Sequence, residues 1–290
     1  MEIQQYILSG ITIGSIYALV ALGFNFIFNT TDIINFAQGE FVVFGGMIMV
    51  SLVSVFKLPM VIAFFMTIFL VMLLGLLFER LAIQPLKDSP IITLIICTIG
   101  VSVLLRGLVM VIWGKGSYPL PHFSGESPLH FWRATILPQV LWIIGITLVL
   151  VFLLGLFFRR TLTGKAMRAC AVDKVAASLM GIKVKRMILF SFALSAAFGA
   201  IGGILITPIS LMDFGRGPML ALKGFSALVL GGLGSSFGAV VAGFLIGVIE
   251  ALGAGLISSG FKDALSLVIL LLVLYVRPSG IFGVKEITKV

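Results

Sequence analysis

Apolar runs long enough to cross a bilayer alternate along the chain with short polar breaks. Residues 3–31 hold no charged residue, which predicts one span of about 20 residues with some slack. Gly10, Gly14 and Ala18 recur at every fourth position within it. That spacing puts small residues on one helix face and lets another helix come close. The polar stretch 30–40 follows, with Asp32, Asn35, Gln38, Gly39 and Glu40 set against apolar flanks. Polar groups there need partners or water. An interfacial loop would satisfy them; so would a broken or re-entrant segment lining a cavity, which the short run 41–56 and its Gly45–Gly46 pair favour.

Further spans are predicted over residues 59–78, 91–113, 136–158 and 187–207. From residue 220 an apolar run is interrupted by Gly231, Gly232, Gly234 and Gly238, glycines dense enough to break or kink a helix. A last span covers residues 264–276, before Arg277 and Pro278. Residues 39–46 and 231–238 thus form a pair of Gly-interrupted segments, one in each half, which is a pointer to a translocation path. The expected fold is an all-α polytopic membrane protein, one domain over residues 1–290, with about eight or nine crossings including Gly-broken or re-entrant half-helices.

Composition agrees. A soluble domain cannot hide a chain that is 60% hydrophobic and 11% charged, with mean hydropathy +1.23, so lipid is the solvent for most of it. The net charge of +9 is concentrated in one central loop, residues 159–187. There Arg159, Arg160, Lys165, Arg168, Lys174, Lys183, Lys185 and Arg186 face a single acid, Asp173. This argues for membrane orientation, not nucleic-acid binding. The Ala-rich, Pro-free stretch 171–181 predicts a short helix closed by Gly181 and Ile182. Composition alone fits both a solvated connector and a surface that docks a soluble partner.

A basic loop belongs on the cytoplasmic side. Counting back puts the N-terminus outside; counting forward puts the tail, with Lys285 and Lys289, inside. The other polar segment, residues 114–135, has little net charge and carries Tyr118, Phe123, Phe131 and Trp132, which suits the outer interface. His122 and His130 in it are read as solvated. Cys97 and Cys170 make no disulfide framework or metal cluster, and Cys97 is read as a packing residue. The N-terminus lacks a basic signal-peptide region, so the first run is read as a retained span. Arg106 is read as a snorkelling residue. No P-loop, HExxH, GxSxG or Cys/His cluster occurs, so energy-consuming chemistry has to come from another subunit.

Four stretches, residues 10–23, 33–40, 168–182 and 227–243, occur in order and at fitting spacing, and through them the chain resembles the permease subunits of bacterial branched-chain amino acid ABC importers, the shorter of the two kinds. The resemblance covers essentially the whole chain. It implies an inner-membrane permease, itself no enzyme, paired with a second, homologous permease, two cytoplasmic ATPases and a periplasmic binding protein. No cofactor is implied for this chain, ATP being bound by the partners. Residues 159–187 then become a cytoplasmic coupling loop and residues 114–135 a periplasmic one. Arg168, Asp173, Ala176, Ala177, Gly181 and Ile182 fall where the family meets its ATPase, without the Glu that opens the better-known coupling motif. Asn35, Gln38, Gly39, Glu40, Gly231, Gly232, Gly234 and Gly238 are the candidate translocation path. Leucine, isoleucine and valine are the expected cargo, with urea or other small amides as relatives' alternatives. Two competing functions are an ion-coupled transporter using Glu250 or Asp263, and a passive small-solute channel.

Overall fold

A computed structural model describes residues 2–86, 89–125, 127–131, 134–256, 258, 260, 262–277 and 279–283. Trp132, Pro278, Lys285 and Lys289 lie outside the described residues, and the side chains of His130 and Phe131 are likewise not described.

The elements are α1 (Glu2–Thr31), α2 (Gln38–Val50), α3 (Met60–Phe78), α4 (Ile91–Trp113), a ribbon of β1 (Leu129–Phe131) and β2 (Ala134–Ile136), α5 (Pro138–Arg160), α6 (Leu162–Val172), α7 (Lys174–Leu179), α8 (Val184–Ser210), α9 (Gly217–Gly231), α10 (Ser236–Leu256) and α11 (Lys262–Val276). Seven helical stretches are long and apolar enough to cross a membrane, and α9 is a shorter apolar helix. With the 15-residue α11 these make the expected all-helical, polytopic protein. The antiparallel β1–β2 ribbon is confined to the segment before α5.

α1, α2 and α8 form the buried centre, whereas α3, α4 and α5 turn large apolar side chains such as Phe65, Ile92 and Phe152 outward. Outward apolar faces are what a lipid solvent demands. The α1 face of small residues packs against α10. A Cβ on Gly10 would lie 2.5 Å from the Val248 Cα, and one on Gly243 2.7 Å from the Ala18 backbone nitrogen. Backbone therefore meets backbone along this seam, which only small residues permit.

Two expectations change. Gly45 and Gly46 do not break α2, which runs on through a π-helical turn (Ser51–Val55) to complete the span Gln38–Val55. These glycines instead admit α8: a Cβ on Gly45 would lie 2.5 Å from the Ala200 Cα. The break comes earlier, at residues 32–37, where the chain leaves α1 at Asp32 (φ 60°). Likewise the third span does not stop at Phe78 but continues through π and 3-10 turns to Leu86.

Candidate functional site: the basic helices and the broken helix ends

The basic loop is two helices, not one. Asp173 closes α6 and opens α7, and its carboxylate accepts from the Val175 and Ala176 backbone N–H groups at 2.7 and 3.0 Å. An Asp at that position satisfies donors that the first turn leaves free. Hence the Ala-rich run that predicted one helix over residues 171–181 is split at its only acid. The predicted cap is present: Gly181 takes φ 83°, and the Ile182 N–H donates to the Ala177 carbonyl at 3.1 Å. That is the Schellman pattern, which favours glycine at this position.

The two helices turn some residues inward and others out. Met167, Cys170 and Ala177 are buried, so Ala177 faces this chain and not a partner. Arg168, Asp173, Ala176 and Gly181 are exposed and Ile182 is half-buried. Val172, Val175, Leu179 and Met180 are between 70% and 88% exposed, an apolar crown amid basic residues. Burial pushes the Cys170 thiol above its ordinary range, with Lys174 acting in the opposite direction. Lys174 also reaches Asp32 at 2.5 Å, tying α7 to the break after α1.

Asn35, Gln38 and Glu40, at and just before the start of α2, are buried, and Gln38 and Glu40 bond to neighbouring helices. The Gln38 amide donates to the Ser195 carbonyl at 3.1 Å while the Ser195 hydroxyl donates back to Gln38. The Asn35 side chain accepts from the Ala37 N–H at 3.1 Å. Ser102 donates to Glu40 at 2.9 Å and Arg106 approaches the same oxygen at 3.4 Å. Arg106 is thus half-buried and paired, not simply snorkelling. Gly39 abuts the carbonyl of Gly217, and the Glu40 carboxylate lies beside the same Gly217. The first turns of α2 and α9 therefore meet inside the bundle, with a carboxylate between the positive ends of both helices. Sequence reasoning missed Gly217. Its only signal is Gly-Pro after Arg216, a helix start with Pro in the first turn.

Gly231, Gly232, Gly234 and Gly238 sit at the other end of α9, where residues 232–235 turn into α10. Gly231 and Gly238 pack backbone on backbone, Gly232 has φ 101° and Gly234 φ 85°. Ile281 and Phe282 N–H groups donate to the last α9 carbonyls, Leu230 and Gly231, at 2.8 and 3.1 Å. The structure does not bring this turn onto Gly39. It does bring it to the basic helices: Gly234, Ser236, Asn29, Arg168 and Met167 line one cavity of about 130 Å³.

A second polar cluster lies in α1, α9, α10 and α11. Buried Lys223 donates to Glu250 at 2.8 Å and to Asp263 at 2.5 Å. Glu250 also accepts from the Tyr17 hydroxyl at 3.0 Å and pairs with Lys262 at 3.2 Å. The Lys223 ammonium stands 5.4 Å from the Tyr17 ring centroid. The two carboxylates singled out in the sequence are thus bound to lysines.

Outward apolar faces, a short apolar helix (α9) set between two breaks and an exposed basic helical pair define a multi-pass membrane protein. The family model described as "Branched-chain amino acid transport system / permease component" matches residues 6–276. The chain belongs to that family and is a permease subunit of an ABC importer, a component that works with ATPase and binding-protein partners. It is similar to the high-affinity branched-chain amino acid transport system permease protein LivH of Salmonella typhimurium, 34% identical over 301 residues, covering 99% of this chain and 97% of that protein. The LivH protein of Escherichia coli is 33% identical over the same shares. BraD of Pseudomonas aeruginosa is 34% identical over 302 residues, again covering 99% and 97%.

Proposed function

We propose that the chain moves branched-chain amino acids inward across a bacterial inner membrane as one of two homologous permease subunits, receiving cargo from a periplasmic binding protein and driven by two cytoplasmic ATPases. In this reading the N-terminus is periplasmic and the tail cytoplasmic. The carrying observation is the α6–α7 pair: an apolar crown in a basic rim, held out from the bundle, has the chemistry of a surface made for a protein partner. Asp173 and the Gly181–Ile182 cap fix the helix ends, Ala176 lets the partner come close, and Arg168 belongs to the rim. The cargo follows the names of relatives matched end to end.

Coupling would act as a rigid-body movement. ATPase closure pulls α6 and α7 together with α5 and α8, to which they are joined. Arg168 shares a cavity with Gly234, so the pull reaches the Gly231–Gly238 turn and, through α9, the junction with Asn35, Gln38, Gly39 and Glu40. The short α9, free of both neighbouring spans at its breaks, is the part that can tilt without unfolding a span, and the path is placed past its two ends. Ion coupling through Glu250 is less favoured, since that carboxylate is held by Lys223, Lys262 and Tyr17.

Labelled leucine uptake into proteoliposomes tests the proposal. The chain alone is expected to be inert, and uptake to require ATP with the ATPases, second permease and binding protein all present. Uptake by the chain alone, whether passive or following an ion gradient, overturns it.

A further inference from the structure

Between α1, α8, α9 and α11 lies a cavity of about 430 Å³, within the common size range for small-molecule sites of roughly 300–1,000 Å³. Its walls are of two kinds. Ile13, Ile16, Ile206 and Ile209 supply branched aliphatic surface. Arg216, Asp213, Lys262 and Asp263 bring both signs of charge to the same space. The other described cavities carry at most one charged side chain each.

The charges balance. Arg216 pairs with Asp213 at 3.2 Å; Lys223 and Lys262 offset Glu250 and Asp263. Lys223 and Glu250 are almost wholly buried and already partnered, so they form a fixed floor. Lys262, Arg216 and Asp263 are 39%, 38% and 51% exposed, so they can exchange a partner for a ligand. An uncompensated anion or cation would leave one charge of a pair unmatched. A zwitterion would not: its carboxylate takes a guanidinium or ammonium, its own ammonium takes a carboxylate, and the site stays neutral. A branched side chain then meets the isoleucine wall.

We propose that this cavity is a way-station for an aliphatic α-amino acid, bound as the zwitterion by Arg216 or Lys262 at its carboxylate and by Asp213 or Asp263 at its ammonium. The proposal rests on the import reading. It adds a recognition site within the permease itself, at residues that neither the resemblance nor the relatives' names assign.

The test uses the full transporter complex in nanodiscs, this chain carrying Cys97→Ala, Cys170→Ala and Ile209→Cys. Ile209 lines the cavity and is 43% exposed, so a small thiol reagent can reach it. Modification of this chain's peptide is followed by mass spectrometry. Millimolar L-leucine is expected to slow it roughly tenfold, while 3-methylbutylamine and 4-methylpentanoate, each lacking one charge, are expected to leave it within about twofold, because each loses a charge-assisted hydrogen bond. Adding Ile206→Trp, which fills the cavity, is expected to raise the half-protecting leucine concentration about tenfold, with ATPase activity of the complex as the readout of folding. Unchanged modification in leucine, or equal protection by either half-molecule, overturns the site. Protection by leucine in a complex that shows no ATP-driven uptake would instead keep the site and remove the import reading.

Discussion

Glu250 and Lys223 are nearly inaccessible and hold one another at 2.8 Å, so neither can lose its partner cheaply. Glu250→Ala leaves the buried Lys223 ammonium with a half-exposed Asp263 as its remaining carboxylate, and should destabilise the chain by up to about 3 kcal/mol, the low end of the range for a fully unpaired buried charge. Asp263→Asn, removing the exposed member, should cost within about 1 kcal/mol. Thermal unfolding of the purified complex measures both, and equal losses would deny Glu250 its central place in the cluster. The sequence identifies these residues as charges within apolar runs. It does not pair them, because the partners come from helices far apart in the chain, Tyr17 in α1 with Glu250 in α10. The seam of Gly10, Gly14 and Ala18 was legible, since helical periodicity alone puts those residues on one face. Its partners Gly243 and Gly247 were not read, because an α10 with small residues on several faces does not say which one is used.

At the scale of elements, α6 and α7 present one thiol inward and a crown of apolar side chains outward. Cys170 is 1% exposed and its thiol is pushed up by burial. The thiolate is the reactive form, so at neutral pH Cys170 should react far more slowly than a cysteine at Leu179→Cys, and its rate should keep rising at pH values where an ordinary thiol has levelled off. Rates of a maleimide reaction across pH check this; equal rates at the two positions would contradict the burial. The place of these helices along the chain and their basic character were legible from charge. Their division was not, because Asp173 reads equally as a solvated acid and as a cap. The polar stretch 30–40 does hold a break, at residues 32–37, but the Gly45–Gly46 pair does not extend it: α8 uses those glycines for close approach.

For the whole molecule, alternating passes from the basic helices assign opposite sides to α7 and to the segment before α5. A membrane-impermeant thiol reagent applied to intact cells should therefore label Ser117→Cys, which is exposed, but not Leu179→Cys, and lysis should expose the second. The reverse pattern would invert the topology. Hydropathy made the membrane fold legible because a lipid solvent constrains composition over every span. How the starts of α2 and α9 meet was not legible, since Gly39 and Gly217 are linked only through the folded bundle.

ATP-driven leucine uptake by the reconstituted complex carrying Leu179→Asp tests most directly that an outside engine grips this bundle at α7. The substituted side chain is 83% exposed, so the chain itself should insert and fold normally. A carboxylate in an apolar contact should weaken ATPase retention by roughly 2 kcal/mol or more and cut uptake at least about tenfold. Wild-type uptake and full ATPase retention in this variant would contradict the claim.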